Sequence, residues 1–194
     1  FRNTKVLSAF SLVSTVVSLA IAGVTVPLSK RFGKKEVSAA ATCFSGVAYL
    51  ILYFMHITSA WLYMILSVIG FLGVNLFNMV IWANITDVID DHEVRTGSRD
   101  DGTVYSVYSF ARKIGQALAG GLGGAALQAI GYDELATVQN ARVVEGIYAT
   151  VNLIPAVCFL GVAAILAFAY PLSRKKVEEN AAILKKKREM EQRS

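Results

Sequence analysis

An arginine and a lysine, Arg112 and Lys113, stand side by side inside an otherwise apolar run from Thr103 to Gly131. A helix begun at Thr103 on a membrane surface carries Lys113 roughly 15 Å inward at ~1.5 Å per residue. That depth is close to the midplane of a hydrocarbon core about 30 Å thick. Each charge left against acyl tails there costs roughly 2.5–3.5 kcal/mol even on the lenient insertion scale. From mid-depth a snorkelling side chain struggles to reach the interface. Both charges are therefore expected to face other helices or a wet cavity, and an intramembrane charge is functional by default.

The rest of the chain supports the premise that this run lies in a membrane. Of its residues 55% are hydrophobic and 17% charged, and the mean hydropathy is +0.51. The apolar residues fall in long runs instead of alternating with polar ones, as membrane helices require. The expectation is an all-α integral membrane fold with five transmembrane helices, over about 7–28, 37–54, 61–83, 103–131 and 147–172. Together they make one bundle, 1–172, followed by a charged tail, 173–194. The net charge of +5 does not argue for nucleic acid, because the basic residues cluster in short segments beside apolar runs, as topology signals do. Cys43 and Cys158 fall inside predicted spans and read as small core residues rather than a disulfide. The chain starts at Phe1 with no signal-peptide pattern, so it reads as a piece of a longer protein.

In chain order, the first connection is the basic loop Ser29 to Glu36, where Gly33 suits a tight turn. The second span opens with small residues, Ser38 to Ala41, which permit close helix contact. The short turn from Met55 to Ala60 holds a lone His56, read as an interfacial turn residue because no second His, Cys or acid lies near it. In the third span Trp61 and Tyr63 fit one membrane interface and Trp82 the other. Gly70 and Gly73 thin it, and Asn75 and Asn78 share a face, either as an interhelical hydrogen-bonding pair or as pocket-lining donors.

A loop from Asn84 to Gly102 is then expected, with six acids and two arginines. Asp87, Asp90 and Asp91 follow a helix C-terminus, where acids are disfavoured. Arg95, Arg99 or the basic loop near Arg31 is expected to neutralise them. Asp101, Gly102 and Thr103 suit the start of the fourth helix. In that helix Tyr105, Ser109, Lys113 and Gln116 recur at steps of four, four and three and make one polar stripe, while Arg112 is rotated by about a hundred degrees. The structural alternative for the stripe is an ion pair that locks the bundle without touching a ligand. Gly120 and Gly124 form a small-xxx-small pair that calls for a closely approaching helix. The loop Asp133 to Gly146 leads to a fifth span with a kink at Pro155, and the tail reads as a solvated charged segment.

Lysine and arginine counts orient the bundle. Four (Lys30, Arg31, Lys34, Lys35), two (Arg95, Arg99) and eight in the tail lie on one side; three (Arg2, Lys5, Arg142) lie on the other. The first side is expected to be cytoplasmic, with the C-terminus inside. No metal site, nucleotide loop or Ser/His/Asp constellation is discernible.

Three stretches, PLSKRFGKKE, TDVIDDHEVRTGSRDDGTVYSVYSFARKIGQALAG and AYPLSRKK before a charged tail, together resemble the glycoside–pentoside–hexuronide:cation symporter family of the major facilitator superfamily. The ending is especially similar to glucuronide-type and xyloside-type members. The resemblance aligns the chain with spans eight to twelve of a twelve-span carrier. It implies a secondary transporter of the bacterial inner membrane that takes up a small sugar with Na+ or H+ by alternating access. It places Lys113 on the lysine that faces the central sugar cavity. Ser109, Tyr108 and Arg112 fall at neighbouring pocket positions, and Asn78 stands where melibiose-type members have an aromatic. Tyr105 and Gln116 complete the candidate substrate set. Arg31, Asp87, Asp90 and Arg95 form the candidate gating set, although Lys30 stands where the superfamily's loop motif has an acid and Asp91 where many members have tyrosine. The cation-binding acids of the family lie in its N-terminal half, so the coupling ion is expected to bind there, in the partner half-bundle, and no organic cofactor is implied. The rivals are a drug or metabolite exporter on the same fold and a non-transporting membrane scaffold.

Overall fold

The computed structural model describes residues 4–192; Phe1, Arg2 and Arg193, which enter the readings above, lie outside them. The described residues form six α-helices: α1 (Thr4–Phe32), α2 (Lys34–Met55), α3 (Ala60–Thr96), α4 (Asp101–Ala129), α5 (Ala141–Ala164) and α6 (Arg174–Glu191). A π-helical turn over Ile165–Ala169 extends α5. By length and composition α1, α2, α3 and α5 are apolar enough to cross a membrane. The fifth expected span, α4, has the length but carries Arg112 and Lys113.

α2 is the centre of the bundle. It packs against α3 on one side and α5 on the other, while α1 lies along α3. The small residues at its start explain this position. Ser38, Ala41, Thr42 and Ser45 are all buried, and they let the α3 backbone come close at Gly73, where a β-carbon would strike the Ala41 carbonyl. Without water in the hydrocarbon region, such interfaces rely on packing and satisfied hydrogen bonds. The Ser45 hydroxyl donates to the Gly70 carbonyl at 2.8 Å, and Asn84 donates to the Ser38 hydroxyl at 3.0 Å. On the other face, Tyr63 of α3 donates to Asn152 of α5 at 3.2 Å. Asn75 turns toward α1 and accepts from Ser18 at 2.8 Å, so it is an interhelical bond, whereas Asn78 is exposed. The asparagine pair is thus divided between two surroundings.

Several boundaries differ from the sequence expectation. The basic loop shrinks to Gly33, whose φ of 100° separates α1 from α2. The most consequential difference is at the end of α3. The charged segment expected as a loop from Asn84 continues the helix to Thr96, and Gly97 closes it with φ 80° and a bond from its N–H to the Glu93 carbonyl. Trp82 therefore sits well inside a 37-residue helix, not at its membrane-interface end. α5 begins at Ala141, inside the expected loop, because Asn140 caps it by accepting from Val143 at 2.9 Å. Pro155 lies within α5, and the change of winding comes later, at Ile165. His56 ends α2 with φ 44°, a turn residue as read. Cys43 and Cys158 are free and exposed rather than part of the core.

The tail is not merely solvated. Residues Arg174–Glu191 fold as α6 against the charged end of α3, with Asn180 and Leu184 buried one turn apart. α4 shows the opposite behaviour. It has no buried residue and makes its main contact with α3. A β-carbon at Gly120 or Gly124 would meet nothing within 4 Å, so no described helix occupies the close approach that the glycine pair allows.

Candidate functional site

Two clusters involve the expected site residues. The first lies between α3 and α4. Asp100 caps α4, accepting from the Thr103 N–H at 3.0 Å, and Asp101 adds negative charge to the first turn, where the helix dipole favours it. The helix then places Tyr105, Ser109, Lys113 and Gln116 along one exposed face. Among the described residues Lys113 has neither a hydrogen bond nor an ion pair. Its neighbour Arg112 points another way and holds its guanidinium over the ring of Trp82, 5.8 Å from the centroid. Tyr105 and Tyr108 pack on the same indole, with ring centroids 6.3 and 5.5 Å away. Asn78, four residues before Trp82, lies on that side of α3.

The cluster is thus an aromatic and cationic wall. A guanidinium over an indole face is attracted by the ring's quadrupole, by roughly 0.5–2 kcal/mol depending on desolvation. Trp82 was not among the site residues expected from sequence. Its spacing of one turn from Asn78 was a usable signal, but it counted for little while the helix was thought to end at Ala83.

The second cluster gathers at the charged end of the bundle. Lys34 of α2 pairs with the buried Asp87 at 2.6 Å. Asp91 accepts from Arg95 at 2.8 Å and from Asn180 of α6 at 2.8 Å. Arg99 meets Asp90 at 2.9 Å, Asp101 at 3.0 Å and Glu93 at 3.1 Å. The hydrogen bonds that Arg99 donates to these three acids, Asp90 first, raise its pKa above the ordinary value. Glu93 also lies 3.7 Å from both Lys187 and Arg188 of α6. This matching lets α3 continue through a run of acids near its C-terminus, an arrangement the helix dipole alone opposes.

Of the expected gating set, the structure brings Asp87, Asp90 and Arg95 into this cluster and leaves Arg31 outside it. The Arg31 guanidinium lies over Phe32, and its carbonyl accepts from Arg174 at 2.6 Å. Lys34 takes the place that Arg31 was expected to fill. Lys34 belongs to the basic loop expected to neutralise these acids, whereas Glu93 and Asn180 were missed because their α3–α6 partners are distant in sequence. Among the described residues, no group of three or more His, Cys, Asp or Glu side chains is placed to hold a metal ion.

The model of the MFS/sugar transport protein family matches residues 2–174. The chain belongs to this family. It is 38% identical over 146 residues to an uncharacterised symporter, YjmB, of Bacillus subtilis, a match covering 75% of the chain and 31% of the relative. It is 34% identical to a putative sulfoquinovose importer of Escherichia coli, covering 78% of the chain and 32% of the relative. It is 28% identical to a glucuronide carrier protein homolog of E. coli, covering 98% of the chain and 42% of the relative. The chain thus spans about a third of the length of these relatives. No solved structure matches it. The glycoside–pentoside–hexuronide:cation symporter resemblance agrees with these findings. The chain carries several membrane-length helices and belongs to a transporter family.

Proposed function

We propose that this sugar transport protein supplies spans eight to twelve of a twelve-span carrier that takes up a glycoside, pentoside or hexuronide together with Na+ or H+. In the proposed cycle two helical bundles rock about a midplane site, and the cation gradient drives uptake. The coupling ion binds in the other bundle, outside this chain. The charged end of the present bundle and α6 face the cytoplasm of a bacterial cell, in keeping with the lysine and arginine counts.

The observation that carries this reading is the exposed polar stripe of α4. Lys113 stands on it deep in a membrane-length helix, with no partner among the described residues. A lysine at that depth needs an anionic or hydroxyl-rich counterpart, which a sugar or an acid of the other bundle provides. The names of the glucuronide carrier homolog and the sulfoquinovose importer support a sugar as the solute. Lys113 donates to the sugar, with Ser109, Tyr105, Gln116 and Asn78 beside it and Arg112 and Tyr108 at the edge.

Uptake of labelled glycosides by the full-length carrier and its Lys113→Ala variant tests the role. Loss of uptake with normal abundance in the membrane is expected. Unchanged kinetics would remove Lys113 from the substrate site.

A further inference from the structure

Arg112 contacts the Trp82 ring and donates no hydrogen bond to any of the described residues. A guanidinium has five N–H donors in one plane, and stacking on an aromatic ring occupies only its face. Here the guanidinium carbon lies over the Trp82 ring, 5.8 Å from its centroid, and no hydrogen bond or ion pair to the guanidinium exists among the described residues. The acids of the neighbouring helix end are engaged elsewhere. Asp87 pairs with Lys34, Asp91 with Arg95 and Asn180, and Asp90, Glu93 and Asp101 with Arg99. Asp101, on α4 itself, lies eleven residues before Arg112, roughly 16 Å along the helix. Beside the arginine, Trp82 is 46% exposed and Tyr105 39% exposed, so the wall has open aromatic surface for the apolar face of a ring. Lys113 adds a second cation on the adjoining face.

Two cations at this depth with no counter-charge among the described residues favour an anionic guest over a neutral one. We infer that Trp82 and Arg112 form a subsite for an acidic substituent, a carboxylate or sulfonate, on the transported sugar. The Arg112 fork binds two oxygens of the acid side by side, the geometry for which a planar guanidinium is suited. Lys113 serves the ring hydroxyls. Trp82 is a positioning residue: its indole fixes the plane of the fork and walls one side of the site. The inference rests on the sugar-transport reading above and narrows its substrate to acidic sugars.

The test uses the full-length carrier reconstituted in liposomes. Three radiolabelled probes share one ring: a methyl glucoside, the corresponding methyl glucuronide and its 6-sulfo counterpart. The wild type is expected to favour one or both acidic probes over the glucoside. Arg112→Gln should raise KM for the acidic probe by roughly ten- to a hundredfold, the usual weight of a charge-assisted bond, and raise the glucoside KM by a much smaller factor. Arg112→Lys keeps the charge without the fork and should recover part of the loss, so it also carries the test if Arg112→Gln is absent from the membrane. Trp82→Ala should weaken acidic probes selectively, with Trp82→Phe restoring most of the preference. A wild type that prefers the glucoside overturns the inference and leaves sugar transport standing. Equal loss for acidic and neutral probes in the Arg112 variants also overturns it, because a packing contact between α3 and α4 behaves that way. Transport of none of the three probes overturns the sugar reading and the subsite together.

Discussion

Asn180 of α6 donates its side-chain amide to Asp91 of α3 across 2.8 Å, and both residues are buried. The bond ties the tail helix to the charged end of the bundle. It also removes one lone pair of Asp91 from the unfavourable field at a helix C-terminus.

Replacing Asn180 with Ala takes the amide away and leaves that carboxylate oxygen buried with no donor. A cost of roughly 1–3 kcal/mol is expected. The effect should be local, with hydrogen exchange rising across residues 174–191 and little change in α2. Exchange confined to the baseline in Asn180→Ala would show that Leu184 and the contacts of Arg174, Lys187 and Arg188 hold α6 in place without the amide.

Lys34 and Asp87 form a pair with unequal surroundings. The Asp87 side chain is 5% exposed and that of Lys34 31% exposed. Lys34→Met therefore strands a buried carboxylate, while the lysine's own partial exposure keeps the loss below that of a fully buried pair. Roughly 1–3 kcal/mol is expected. The double variant Lys34→Met/Asp87→Asn should regain most of it. A thermal-unfolding cycle in detergent measures the coupling, and strict additivity would mean that the pair contributes nothing.

Two glycine substitutions should behave in opposite ways. Gly73→Ala places a β-carbon against the Ala41 carbonyl and the Ser45 hydroxyl. Backbone cannot give way as a flexible side chain does, so α2 and α3 must separate, at a cost of about 1–3 kcal/mol. Gly124→Ala meets nothing in the described bundle and should raise its helix stability slightly. In the full carrier Gly124→Ala should instead lower uptake if a further helix closes on this face. Paired melting and uptake measurements on the two variants separate internal packing from contact with the partner bundle.

The cap of α4 sets a pH dependence. The N–H of Thr103, with help from its hydroxyl, holds the Asp100 carboxyl below its ordinary pKa. The folded value is thus lower than the unfolded one. The resulting stabilisation is complete above the unfolded value of about 3.9 and is lost as pH falls through the folded pKa. Exchange in the first turn of α4 should accelerate on acidification below about pH 4. Asp100→Asn should keep the cap and lose that acid sensitivity, and an identical pH profile in the two proteins would refute the assignment.

Much of this protein was determined by sequence alone. Long apolar runs divided by basic residues and turn signals located α1, α2, α5 and the turn at His56, because hydrocarbon admits only segments that satisfy their own backbone. The Arg112–Lys113 pair and the polar stripe on α4 were equally plain, since charge inside an apolar run is a local property. Tertiary structure decided what those local signals cannot carry. Whether Asn84 to Thr96 is loop or helix depends on Lys34 and α6, together with the nearby Arg99, neutralising its acids, and Lys34 and α6 come from other parts of the chain. Arg112 faces Trp82, and not a carboxylate, because α3 runs on beyond the expected membrane edge and sets the indole beside α4. Ion pairs and ring contacts between helices are fixed by where the backbones pass, and neither composition nor spacing along one helix records that.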